Sequence, residues 1–150
     1  MPEALWFLDN LSRIHVGGDE TGGGLGLVEM TARGGDMPPL HVHHRNDEAF
    51  YVLDGRMTVF VAGREPAELA AGDSALAPRG IPHTYRVDSE RGRWLAVLGP
   101  SGFDGLVREI GEPADSDDLP PEGREHDIGR VSAAAARQGI ELLGPPGTLP

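Results

Sequence analysis

The sequence predicts an all-β fold, a sandwich or barrel of short strands. Its 150 residues include 22 glycines and 13 prolines, and these turn-forming residues divide the chain at short intervals. Between them lie brief segments that alternate apolar and polar residues or are rich in β-branched residues, as half-buried strands are. No segment before Ser101 has a helical pattern of useful length. Short strands at regular spacing with turn signals between them are typical of sandwiches and barrels.

Nine segments fit this description. In chain order they are LWFLD (5–9), SRIHV (12–16), LGLVEM (25–30), LHVHH (40–44), EAFYVLD (48–54), RMTVFVA (56–62), SALAP (74–78), HTYRV (83–87) and RWLAVLG (93–99). A tight hairpin is expected at the short turn between the fourth and fifth segments. The glycine-rich stretch from Asp19 to Gly26 lacks the Lys and Ser/Thr of a phosphate loop and precedes no helical pattern, so we expect a plain connection.

The pattern changes after Ser101. GFDGLVREIG (102–111) predicts a short helix, and EPADSDDLPPEG (112–123) reads as a polar linker. DIGRVSAAAARQG (127–139) predicts an amphipathic helix with Asp127 as N-cap and Gly139 just past its end. The apolar positions expected to pack on the barrel are Ile128, Val131 and Ala135. The last residues, 140–150, are expected to be extended with docked leucines.

Composition excludes several kinds of chemistry. Without cysteine the chain has no disulfide, thiolate nucleophile or Cys-ligated metal site, and without lysine it forms no Schiff base. A formal net charge of −11 repels phosphate backbones, so we expect no nucleic-acid partner. No run of eighteen apolar residues occurs and the N-terminal segment lacks the features of a secretion signal. We therefore expect no membrane partner and a cytoplasmic location.

Three of the six histidines lie within four positions of one another, in HVHHRNDEAFYVLDG (41–55). Residues two apart in a strand share a side, so His41 and His43 are expected to point together into the barrel, with His44 facing away. Glu48 begins the next strand, and His83 lies further on. Three imidazoles and a carboxylate suit one divalent transition metal: Fe, Mn, Ni, Co, Cu or Zn. His15 and His126 stand alone and receive no role.

Two stretches resemble the two motifs of the cupin superfamily. In the first, the motif positions are Gly35, His41, His43, Glu48 and Gly55. In the second they are Gly72, Pro78, Gly80 and His83, with Val87 in place of the final Asn, a change that touches no ligand. The motifs cover 35–55 and 72–87. The Ala-rich helix followed by GIELLGPP resembles small bacterial cupins of the quercetin-dioxygenase-like type.

The resemblance implies a double-stranded β-helix, or jelly roll, with one or two short C-terminal helices. We expect a single cupin domain over residues 1–150, with motifs at 35–55 and 72–87 and a helical extension from about 101. Such barrels are often completed by a partner, so a homodimer is expected. The resemblance further implies a metal held inside the barrel by four residues: His41, His43, Glu48 and His83.

We expect a metal-dependent enzyme that acts on a small oxygenated aromatic or polyketide-like molecule. The first hypothesis is a quercetinase-like dioxygenase, which uses O2. A zinc-type polyketide cyclase or isomerase, a non-catalytic small-molecule binder and a structural zinc barrel remain alternatives. Glu48 is either a permanent ligand or the catalytic base, the role that the quercetinase resemblance implies. The candidate substrate-binding side chains are Phe50, Tyr85 and Met30; Met57, Val59 and Val61 either join them or form core.

Overall fold

The computed structural model describes all residues from 1 to 150 and confirms the all-β, jelly-roll prediction, with twelve strands and two helices. The first six strands are β1 (Leu5–Phe7), β2 (Asn10–Val16), β3 (Gly26–Arg33), β4 (Pro39–His43), β5 (Asp47–Asp54) and β6 (Arg56–Val61). The next are β7 (Ala67–Ala70), β8 (Ser74–Ala77), β9 (His83–Val87) and β10 (Arg91–Gly99). The C-terminal elements are α1 (Phe103–Ile110), β11 (Glu112–Pro113), α2 (Ile128–Arg137) and β12 (Ile140–Pro146).

The strands form two antiparallel sheets. The seven-stranded sheet has the order β11-β1-β2-β3-β10-β5-β8, and the five-stranded sheet has the order β12-β4-β9-β6-β7. Alternate residues of β3 and β5 are buried, so that each of these strands presents one face to the space between the sheets. Both sheets therefore contribute side chains to one shared interior.

The predicted hairpin between β4 and β5 is wrong. β4 pairs with β9 and β12, whereas β5 pairs with β10 and β8 in the other sheet. The connection after His43 therefore crosses from one sheet to the other, and it still brings Glu48 to the side of the barrel interior that the histidines face. The turns at Gly55 and Gly72 likewise join strands of different sheets.

Gly55 makes the crossover from β5 to β6 possible. Its φ of 79° lies in the left-handed region, where glycine carries no steric penalty. A Cβ at this position would also collide with the backbone carbonyl of Arg91. The first cupin-like motif thus ends in a glycine for which no other residue fits.

The core combines residues from both sheets and from both helices. One contiguous cluster includes Met57, Val59 and Val61, which are buried as core and do not line the main pocket. Val131 and Ala135 of α2 join the same cluster, as predicted, together with Ala134. Ile128 was expected there too, but it is 55% exposed. The helices therefore close the barrel along one side.

Two strands were not predicted. β7 has the sequence AELA, whose residues favour strands poorly, and β11 is a two-residue bridge inside the predicted linker. The extended tail forms β12 and pairs with β4, with Ile140 opposite His43 and Leu142 opposite His41. The predicted cap of α2 is confirmed, because the Asp127 side chain accepts a hydrogen bond from the Arg130 backbone N–H at 3.1 Å.

Arginines of the seven-stranded sheet hold the acidic segment 115–125 against it. Arg13 pairs with Asp117, Arg91 with Asp118, and Arg33 with Glu122. These contacts carry the chain from α1 across the sheet to the start of α2. Neither helix is long and apolar enough to cross a membrane.

Candidate metal centre

Four side chains converge inside the barrel: His41, His43, Glu48 and His83. Their ligand atoms all lie within 4.8 Å of one another. β4 supplies two histidines by strand alternation, β9 lies beside it with His83 opposite His41, and β5 of the other sheet supplies the carboxylate. The exposed fractions of His43, His83 and Glu48 are 2%, 1% and 5%. We call these four residues the His3Glu cluster.

Hydrogen bonds to the backbone orient two of the imidazoles. His41 Nδ1 donates to the Pro39 carbonyl at 2.7 Å, and His83 Nδ1 lies 3.4 Å from the Ile81 carbonyl. With the proton held on Nδ1, each ring turns an Nε2 lone pair toward the cluster, which is the arrangement of metal-ligating histidines. His43 Nδ1 is buried without any partner. The three rings are therefore not equivalent.

The carboxylate lies where a cation is needed. Glu48 Oε2 is 3.0 Å from His43 Nε2 and 3.1 Å from His83 Nε2. One oxygen and two ring nitrogens this close repel one another through their lone pairs unless a proton or a cation lies among them. The residues present therefore fit a divalent metal ion, and their N and O donors suit Mn, Fe, Co, Ni, Cu or Zn.

The protonation states also fit metal binding. Burial, reinforced by the nearby His83 and His43, lowers the pKa of His41 to about 3, so that its ring is neutral at pH 7. Burial alone would raise the pKa of Glu48, but its contacts with His43 and His83 outweigh that cost and hold the pKa well below its ordinary value. Neutral imidazole and ionised carboxylate are the forms that bind metals.

The other histidines lie outside the cluster. His44 faces outward, as expected, and its Nε2 lies 2.8 Å from Glu141. His15 pairs with Glu29 on the outer surface. His126, which received no role, lies at the pocket mouth with its Nε2 3.0 Å from Asp9.

A pocket opens above the His3Glu cluster and has a cavity volume of about 120 Å³. Its wall includes all three side chains proposed from the sequence to contact substrate, Met30, Phe50 and Tyr85. The Phe50 ring lies 6.0 Å from both the His83 and the Tyr85 rings, measured between centroids. The pocket is therefore apolar and aromatic next to the cluster.

Sequence reasoning missed about two thirds of the 19 residues in the pocket wall. The missed residues include Asn10, Asp36, Phe103, His126, Ile128 and Val131. They come from the start of β2, the loop before β4, the C-terminal helices and the residues just before α2, and no spacing rule connects these parts of the chain. Asp36 had one available signal, because it follows the motif glycine Gly35.

Comparison with known proteins supports the same family. A family model described as a cupin domain matches residues 28–98. The chain is 33% identical to "Quercetin 2,3-dioxygenase" of Bacillus subtilis over 94% of its length, and 27% identical to the Aspergillus japonicus protein of that name over 69%. It spans only 42% and 31% of those two relatives.

A solved structure described as an RmlC-like cupin from Shewanella frigidimarina matches with a TM-score of 0.57 and 21% identity, over 68% of this chain and 87% of that one. At this identity the match concerns the fold alone. The two sheets, the matched region 28–98 and the motif residues inside it all point to the same family. Residues 28–98 of the chain therefore belong to the cupin superfamily.

Proposed function

We propose that this protein is a metal-dependent dioxygenase of the quercetinase-like type, acting on a small oxygenated ring. The observation that carries this proposal is the convergence of three imidazoles and one carboxylate at the base of a buried aromatic pocket. The similarity to the Bacillus subtilis quercetin 2,3-dioxygenase, which extends over 94% of the chain, supports the choice of reaction.

His41, His43, His83 and Glu48 would hold the metal. When bound, a divalent transition metal supplies Lewis acidity toward a substrate enolate or phenolate oxygen and, if redox-active, electron transfer with O2. The chain keeps His41 and His83 fixed through their Nδ1 contacts, so their Nε2 atoms stay oriented without rearrangement. Glu48 is the one carboxylate in the His3Glu cluster, and we assign it the uptake of the substrate hydroxyl proton.

The pocket suits one planar ring. An apolar cavity of about 150 Å³ accommodates benzene, so about 120 Å³ corresponds to roughly one ring. Phe50 and Tyr85 are placed to contact the face or edge of that ring, and the Met30 sulfur, which accepts from Ser12 at 3.1 Å, borders it. The other rings of a flavonol would extend past Ile128 at the mouth.

The test is metal reconstitution followed by oxygen uptake. The protein is purified anaerobically, loaded separately with Fe, Mn, Ni, Co, Cu and Zn, and assayed for O2 consumption with quercetin and with single-ring catechols. We expect uptake with at least one redox-active metal and none with Zn. Absence of uptake with every metal would contradict the dioxygenase proposal, and a rearranged product without O2 uptake would favour the cyclase.

His44→Ala is the matched control for this assay. His44 lies one residue after His43, but its ring is exposed and pairs with Glu141. We expect His83→Ala to abolish uptake and His44→Ala to retain it. If both variants lost O2 uptake, the loss would reflect general damage to β4 or β9 and not the removal of a ligand from the His3Glu cluster.

A further inference from the structure

A second polar group lies in the pocket beyond the His3Glu cluster. Tyr85 follows His83 by two residues on β9, so its side chain lies on the same face about 7 Å further along the strand. Its hydroxyl donates to Asp36 Oδ2 at 3.4 Å and accepts from Asn10 Nδ2 at 3.3 Å. All three residues line the pocket. We call Asn10, Asp36 and Tyr85 the distal polar group.

Asp36 is a carboxylate in this pocket without a cationic partner. It takes part in none of the ion pairs of the chain. Burial, with a smaller contribution from the charge of Asp9, raises the pKa of Asp36 to about 6. Its donors are the neutral side chains of Tyr85 and Asn10. Since removing a carboxylate from water without a cation is costly, this carboxylate at the pocket wall has acceptor capacity left for a further donor from a ligand.

The backbone holds these acceptors in place. The Gly35 N–H donates to the Val87 carbonyl at 2.8 Å and the Val87 N–H donates to the Asp36 carbonyl at 3.1 Å, which fixes Asp36 beside β9. Asn10 Oδ1 is buried and has no hydrogen-bond partner, so a second unsatisfied acceptor lies in the same group. Two fixed acceptors select a ligand that carries a hydrogen-bond donor.

We propose that the distal polar group binds a free hydroxyl of the substrate, on the side of the ring opposite the His3Glu cluster. This inference rests on the proposed function and narrows its substrate class. The substrate would carry a chelating enediol or phenol oxygen at one end and a hydroxyl donor at the other. Phe50, whose ring is 6.0 Å from both His83 and Tyr85, lies between the two ends where the ring face would pack. Asp36 is thus a specificity-determining residue.

The test compares catechols that differ at one position. Catechol, 4-methoxycatechol and benzene-1,2,4-triol are titrated anaerobically by calorimetry into zinc-loaded protein, because zinc permits chelation without turnover. A hydrogen bond to a charged acceptor contributes about 1.5–3 kcal/mol, so the triol should bind at least about tenfold tighter than the methoxy compound. In Asp36→Asn this preference should fall to about twofold or less.

Asp115→Asn is the matched control, since it removes the same charge from an exposed residue that makes no ion pair and does not line the pocket. The tenfold preference should survive in this variant. Tyr85→Phe, which removes the hydroxyl that orients Asp36, gives an independent measurement and should reduce the preference to about threefold. Metal content is measured for every variant and should not change.

The outcomes separate this inference from the proposed function. Metal-dependent binding without any preference for the triol, or an unchanged preference in Asp36→Asn or Tyr85→Phe, would overturn the role of the distal polar group alone. If no catechol binds the zinc-loaded protein more tightly than the metal-free protein, the chelation that underlies the proposed function fails, and this inference fails with it.

Discussion

Glu48 contacts two histidines through a single oxygen, and this geometry allows either role that the sequence left open, ligand or base. A ligand contributes to metal affinity, whereas a base contributes to the reaction and not to occupancy. The two roles therefore predict different ratios between the loss of turnover and the loss of bound metal when Glu48 is substituted. A substitution that removes the charge of Glu48 and keeps its shape tests which role applies.

We expect Glu48→Gln to lower turnover at least about 100-fold, the usual contribution of a general base, while metal content falls no more than about threefold. Metal analysis and O2 uptake on the same samples give the two numbers. Glu68→Gln, at an exposed position on β7, is the control and should change neither. Equal losses of metal and turnover would make Glu48 only a ligand.

The raised pKa of Asp36 predicts how the free energy of unfolding depends on pH. Its pKa is raised to about 6 from 3.8, so its stabilising contribution is fully present below pH 3.8 and is lost as the pH rises through 6. Asp36→Asn removes this loss. We therefore compare the free energy of unfolding of Asp36→Asn with that of the native protein. The difference, variant minus native, should increase by about 2–3 kcal/mol between pH 4 and pH 7.5. Denaturant titrations at both values measure it.

Asp115→Asn provides the comparison for this experiment, because Asp115 is exposed and makes no ion pair. Its free energy of unfolding should follow that of the native protein across the same pH range. A similar gain in both Asn variants would mean that lowering the net negative charge, and not the burial of Asp36, causes the effect.

At the scale of elements, turns between strands depend on glycines with positive φ, at a crossover between the sheets for Gly55 and within the five-stranded sheet for Gly63. Gly55 and Gly63 have φ values of 79° and 76°, but a Cβ collides with the Arg91 carbonyl only at Gly55 and has open space at Gly63. We expect Gly63→Ala to cost about 1 kcal/mol of stability and Gly55→Ala about 3 kcal/mol or more. Chemical denaturation measures both, and equal costs would mean that the turn at Gly55 relaxes.

The sequence predicted the inward side of β4 and β9, because the period of a strand alone decides which side chains share a face. It did not reveal which strands pair. The short HRND turn reads as a hairpin, yet β4 and β5 lie in different sheets, and local spacing carries no information about that choice. β7 and β11 escaped notice because their strand character comes from pairing with β6 and β1 and not from their own residues.

At the scale of the whole molecule, the pocket is assembled from both ends of the chain. Asn10 begins β2, whereas Phe103, Ile128 and Val131 belong to the C-terminal helices, and Arg13, Arg33 and Arg91 hold the segment between those helices. Contacts across more than 100 residues leave no periodic trace in the sequence. The His3Glu cluster was accessible to sequence reasoning because each ligand lies in a local motif.

The His3Glu cluster also joins the two sheets, since Glu48 lies on β5 and the histidines on β4 and β9. A bound metal should therefore stabilise the whole fold. Free metal at about 100 times its Kd adds about 2.7 kcal/mol, which corresponds to a Tm increase of roughly 5–10 °C for a chain of this size. Thermal scans with and without Ni²⁺ or Zn²⁺ measure it. The increase should vanish in His83→Ala and persist in His44→Ala.

The most direct test of the central claim is metal stoichiometry together with X-ray absorption on the native protein and on His41→Ala, His43→Ala, His83→Ala and His44→Ala. We expect about one metal ion per native chain, bound by nitrogen and oxygen ligands at about 2.0–2.2 Å. Each of the first three variants should lose metal or one nitrogen ligand, and His44→Ala should match the native protein. Unchanged metal content and coordination in all four variants would contradict a metal centre at the His3Glu cluster.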